Sequence, residues 1–236
     1  MLGNRTEEDN EQVDFILIYD NNGTLRSEIP IRSYRSCRLL FDGATMYYST
    51  SADQIAALDN TGQITALYDT GDYNLHHDYI FGSDNDFLVL ATDTTSNTEE
   101  DRIISIDRES GEVTELIDLA DLFADYFNSL ENDEEDFDWM HINSLCLVGE
   151  DSLILSSRET SSIIKINDIY SDPSVEYLIS SDEFWDGTGY ENLLLKQIGD
   201  FTLQAGQHCV TYETSDELSD GQYYLTMYNN NNATIS

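Results

Sequence analysis

Four histidines, His76, His77, His141 and His208, are all the imidazoles in a chain of 236 residues, and each stands where an alternating apolar segment begins. Imidazole titrates near neutral pH, so a cluster of it can move protons, attack an electrophile or ligate a metal. Aligning FLVL at 87–90 with SLIL at 152–155 gives an offset of 152 − 87 = 65. That offset sets His76 opposite His141 and Asp78 opposite Asn143, so both copies read H-x-[D/N]. His208 takes the same place in a later copy, and in the earliest copy the place falls on Arg35 or Ser36. Arg158 ends a segment that would pair antiparallel with the one His141 begins, which brings its guanidinium to the same mouth. A lone late arginine in so acidic a chain suits an anionic ligand. A metal centre is the rival chemistry, because histidine clusters hold zinc or copper. With Asp78 the only carboxylate evident beside the imidazoles, and an arginine among them, the expectation is no metal and no cofactor.

A repeat must hold these residues in place. The segments 15–29 (FILIYDNNGTLRSEI), 55–68 (IAALDNTGQITALY) and 103–117 (IISIDRESGEVTELI) each read as a hairpin. In each, an aspartate opens the turn and a glycine supplies its positive φ. A looser copy, IIKINDIYSDPSVEYLI, spans 163–179. Between them lies a second kind of hairpin, starting at Cys37, His77, His141 and His208. Two hairpins make four strands, and four antiparallel strands recurring at this spacing are propeller blades. The fold class is therefore all-β, a β-propeller, read as a single partial propeller domain over 1–236. The chain opens on an outer hairpin, holds three full blades and ends on an inner hairpin. Either the last hairpin shares a blade with the first, or the chain is an internal portion of a longer propeller; the asparagine run at 229–232 favours the second. The segment LIDLADLFADYFNSL at 116–130 has apolar residues three and four apart and predicts a helical insertion between blades.

Composition narrows the partners. Ten basic against 47 acidic residues give a net charge of −37, which repels nucleic acid and anionic membrane and points to a halophilic or extracellular setting. Hydrophobic residues, 40% of the chain, suffice for a core. Cys37, Cys146 and Cys209 are odd in number and widely spaced, which argues against a zinc motif and leaves room for one disulfide at most. No stretch approaches the ~18 apolar residues of a membrane span, and MLGNRTEEDNEQVDF carries no export signal.

Taken together, HHD at 76–78, WMHINSL at 139–145, LILSSR at 153–158, IIKI at 163–166 and GQH at 206–208 occur in an order that resembles the bacterial arylsulfate sulfotransferases, over residues 73–228. The resemblance implies a six-bladed propeller with a small N-terminal domain, exported to the periplasm or cell surface. It implies transfer of a sulfuryl group from a phenolic sulfate ester to a phenol by a ping-pong route, without a nucleotide sulfate donor. It assigns the covalent nucleophile to His208 and the remaining catalytic positions to His76 (with His77 as the alternative), His141 and Arg158. His77, Asn143 and Trp139 are the substrate-binding candidates, Trp139 by stacking on an aryl ring. The expected partners are small aryl sulfates and phenols, with a homodimer as the assembly to test. The alternative reading is a non-catalytic propeller that serves as a binding or interaction module, or as a metal-binding one.

Overall fold

The outer hairpins are made by their turns. Asp20 Oδ1 accepts the backbone N–H groups of Asn22 and Thr24, both at 2.9 Å, and Asp59 Oδ1 accepts those of Thr61 and Gln63 at 2.8 and 2.9 Å. Asp107 repeats the arrangement with Glu109 at 3.0 Å. Gly62 follows at φ +85°, a conformation that L side chains rarely adopt.

The computed structural model describes residues 14–31, 38–130 and 137–230. It opens with the antiparallel hairpin β1 (Asp14–Tyr19) and β2 (Leu25–Ile31). A first four-stranded sheet follows in the order β3 (Leu40–Asp42), β4 (Thr45–Ser51), β5 (Gln54–Leu58), β6 (Ile64–Asp69). The second holds β7 (Tyr73–Phe81), β8 (Asp86–Asp93), β9 (Arg102–Asp107) and β10 (Val113–Asp118). The third holds β11 (Ile142–Val148), β12 (Ser152–Ser157), β13 (Ser162–Asn167) and β14 (Ser174–Ile179). A final hairpin joins β15 (His208–Glu213) to β16 (Tyr224–Tyr228). This is the expected series of blades. The first and last hairpins are separate two-stranded sheets, so the described residues do not form a shared blade. Cys37, the Arg35/Ser36 position, the residues before Asp14 and the end of the asparagine run lie outside the described residues. Cys146 and Cys209 are free thiols.

Sheets pack face to face, which is why β8 reads FLVLA without alternation: Phe87 to Ala91 are all fully buried. Leu88, Leu90 and Ile103 of the second sheet meet Leu145, Leu155 and Ile164 of the third in one core cluster. Each such side chain contributes roughly 1.5–3 kcal/mol by leaving water. The expected helix over 116–130 begins later than its periodicity suggests. Ile117 and Asp118 remain in the ladder opposite Ile103 and Arg102. The Asp118 carboxylate then accepts the Ala120 N–H at 2.7 Å and starts α1 (Leu119–Leu122), which α2 (Ala124–Ser129) continues. No helix among the described residues is long and apolar enough to cross a membrane.

Candidate active site

Three inner strands, β7, β11 and β15, lie side by side at the sheet edges, β7 against β11 and β11 against β15. Backbone donors from each strand reach side chains on the one before it. The Leu145 N–H donates to Asp78 Oδ2 at 3.4 Å, and the Val210 N–H donates to Ser144 Oγ at 3.0 Å. These contacts fix which residues correspond between copies. Tyr79 faces Val89 and Leu145 faces Leu155, so the offset is 145 − 79 = 66 and not 65. Asp78 therefore corresponds to Ser144, not Asn143, and His76 does not correspond to His141. The paired match of FLVL is LILS at 153–156, one residue past SLIL; upstream of it, β7 is irregular between Leu75 and Tyr79, and β11 between Ile142 and Ser144. Counted back from the buried residues Tyr79, Leu145 and Val210, His77 and His208 stand at one place, Asn143 fills it in the third blade, and His141 sits two residues earlier.

The bulges decide which imidazoles meet. His77 and His141 take left-handed backbone at φ 45° and 49°. Their rings come to 4.8 Å between centroids, and the His208 ring lies 6.4 Å from His77. His76 is buried behind this group, with its Nδ1 3.0 Å from His77 Nδ1 and its Nε2 without a hydrogen-bond partner. Arg158 arrives as expected: its N–H donates to the His141 carbonyl at 3.1 Å, and its guanidinium meets Glu159 at 2.5 Å and Asp138 at 3.5 Å. The GQH motif positions its histidine through its glutamine. Gln207 donates to the Ser157 and Ser162 carbonyls at 2.9 and 3.0 Å, and its own carbonyl accepts from Asn143 Nδ2 at 2.8 Å. His208 is thereby tethered to the third blade, with its Nδ1 3.2 Å from the Gly206 carbonyl.

Trp139 does not reach this group. It is buried in the core with its indole N–H donating to Asp101 Oδ2 at 2.9 Å and its ring against Tyr126 and Phe127, so it cannot stack on a ligand. Asp78 is equally committed, to a two-point ion pair with Arg38 at 2.7 and 3.0 Å. The carboxylates that do serve the histidines went unforeseen. Glu100, in the β8–β9 connection, lies 2.8 Å from His141 Nδ1 and 3.5 Å from His77 Nδ1. Asp138 bonds His141 Nδ1 as well. Among 47 acidic residues neither carried a signal of its own.

These contacts set the protonation states. Burial opposes a charge on His141, but the hydrogen bonds to Asp138 and Glu100 outweigh it and push its pKa up to about 9. Burial of Glu100 would raise its carboxyl, yet the bond from His141 and the neighbouring imidazoles hold it down at about 2. Burial takes His76 down to about 3. His77 and His208 are lowered too, first by burial and then by the positive charge of His141 and Arg158. At neutral pH the site thus presents a cationic His141 and Arg158 next to two neutral imidazoles. Three groupings have ligand atoms close enough to share a metal ion: His77 with His141 and His208, His76 with His77 and Glu100, and Glu100 with Asp138 and His141.

The arylsulfotransferase (ASST) family model matches residues 1–235. No curated protein matches the chain significantly. Among solved structures, a catalytically inactive virginiamycin B lyase from Staphylococcus aureus with quinupristin is 11% identical at a TM-score of 0.50, over 96% of this chain and 68% of that one. A streptogramin B lyase is 17% identical at a TM-score of 0.45, over 73% of this chain and 52% of that one. The aligned region is thus about half the length of the second, and at these identities the likeness is one of fold.

Proposed function

Because this chain belongs to the arylsulfotransferase (ASST) family, we propose that it moves a sulfuryl group from a phenolic sulfate ester to a phenol in two steps, through a sulfohistidine on His208. The observation that carries the reading is the meeting of His77, His141 and His208 from three consecutive inner strands, with Arg158 at the same place. Burial keeps His208 neutral. His208 Nδ1 lies 3.2 Å from the Gly206 carbonyl and 3.0 Å from the Asn230 amide nitrogen; the attacking form is the tautomer that donates Nδ1–H to the carbonyl and keeps the lone pair on Nε2.

In the first step His208 Nε2 bonds to sulfur, the sulfur–oxygen bond to the aryl group breaks, and the phenolate leaves. In the second the acceptor phenol oxygen bonds to sulfur, the nitrogen–sulfur bond breaks, and the phenol proton passes to a base. Both transition states are loose and anionic, so positioned donors do most of the work. Protonated His141 and Arg158 supply them, and the proton that Asp138 and Glu100 keep on His141 suits it to meet the leaving phenolate. In this reading His77, whose ring lies 4.8 Å from that of His141, takes the role that the resemblance gave to His76 with His77 as the alternative, and Asn143 holds the strand entry. The site belongs to the periplasm or cell surface by family.

The test is direct. After incubation with 4-nitrophenyl sulfate alone, the peptide containing His208 should gain the mass of one sulfuryl group, and added phenol should remove it. A His208→Ala chain should lose transfer by at least about 10³-fold. Full transfer by that variant would rule out the covalent route.

A further inference from the structure

Sulfuryl transfer asks for one nucleophilic imidazole and some donors, yet the site gathers three imidazoles whose ligand atoms all lie within 4.8 Å of one another. We propose that His77, His141 and His208 form a binding site for a divalent ion of the zinc class, with a fourth position open, and that occupancy shuts off transfer. The second half rests on the function proposed above; the first does not.

Zinc bonded at ~2.0–2.1 Å to three nitrogens holds them about 3.4 Å apart, so the rings need close by no more than about 1.5 Å, within reach of side-chain rotation. Asp78, the one carboxylate the sequence sets beside the imidazoles, is committed to Arg38, which leaves the objection that three imidazoles and an arginine have no carboxylate of their own. Glu100 and Asp138 remove it. Both accept from His141 Nδ1, which is the outer arrangement that fixes a ligating histidine and turns its Nε2 to the ion. Glu100 also lies 3.5 Å from His77 Nδ1. Arg158 is held by Glu159 at 2.5 Å and Asp138 at 3.5 Å, so its charge is locally compensated. A net charge of −37 concentrates cations around the whole chain.

Three histidines with an open position form the donor set of a zinc site that keeps a water or an exogenous ligand. On binding, ring nitrogens replace waters of the aqua ion, and His141 gives up its Nε2 proton to solvent. The His208 lone pair that would attack sulfur then points at the metal, and no electron pair remains for the ester. Inhibition follows from sharing that atom.

Metal-stripped chain is titrated with zinc chloride in a calorimeter against a competing chelator, and cobalt(II) is added separately to follow visible absorption. One equivalent should bind, with the intense visible bands of a four-coordinate cobalt centre. His77→Gln and His208→Gln should each weaken binding at least 10-fold with unchanged far-UV circular dichroism, and Glu100→Gln should weaken it by about 10-fold. Transfer from 4-nitrophenyl sulfate should stop at one equivalent of zinc and return with chelator. Absence of tight stoichiometric binding overturns the site, as does binding that both histidine variants retain. The cobalt spectrum needs no variant, so an octahedral, weakly absorbing centre overturns it even where a variant misfolds. Undiminished transfer with zinc bound overturns the inhibition. Tight zinc binding by a metal-free chain that transfers nothing supports the site and overturns the sulfuryl-transfer reading.

Discussion

Above neutral pH the folded chain should lose stability over a window set by one imidazole. Held by Asp138 and Glu100, His141 keeps its proton up to about pH 9, against about 6.5 for an imidazole in the unfolded chain. A raised pKa in the fold stabilises fully below the unfolded value and ceases to do so as pH rises through the folded one. The gap of about 2.5 units, at about 1.4 kcal/mol per unit, amounts to roughly 3 kcal/mol. The low pKa of Glu100, about 2, is the same contact seen from the other partner. It adds a loss below about pH 4.5 rather than a second stabilisation at neutral pH. The perturbation is the double variant Glu100→Gln, Asp138→Asn, which keeps shape and removes both charges. Urea unfolding in chelator, followed by tryptophan fluorescence at about pH 6 and about pH 9.5, gives the difference. Wild type should lose about 3 kcal/mol more than the variant between those values, and proton NMR should place the wild-type His141 titration near 9 and the variant's at about 6.5 or below. Equal losses in the two chains would refute the coupling, because every other ionisable group is common to both.

Two further outcomes follow. His76 is buried with its pKa taken down to about 3, so below about pH 6.5 the unfolded chain takes up a proton that the fold refuses, and stability should fall by about 2 kcal/mol at pH 5; His76→Leu should flatten that limb of an unfolding series. A Cβ on Gly82 would meet the Tyr170 hydroxyl at 2.5 Å and overlap the Asp86 carboxylate, which together tie the second blade to the third. Gly82→Ala should accordingly cost at least about 2 kcal/mol, measured as a fall in the urea midpoint with unchanged slope.

The blades were legible because their signals are local. Asp20, Asp59 and Asp107 hydrogen-bond within their own turns, and alternation along outlying strands such as β16 states which face meets solvent. Such interactions span a few residues and leave a periodic trace in the chain. For the same reason the sequence by itself put the histidines on or next to the inner strands and Arg158 beside His141, although β7 begins at Tyr73 and carries His76 and His77 in its middle rather than at its entry. Where those side chains point was decided elsewhere. Two runs as alike as FLVL and SLIL can be aligned one residue out, so the offset of 66 came only with the strand pairing, and the nearness of His77 rather than His76 to His141 only with the rings in place. The burial of Trp139 is another case, since an aromatic beside a candidate site looks the same in sequence whether it faces ligand or core. Glu100 and Asp138 lie in connections outside the repeat, and only the packing of one blade on the next brings them to His141. The sequence determined which imidazoles the inner strands carry; the tertiary structure determined their charge, because charge depends on neighbours that chain order does not specify.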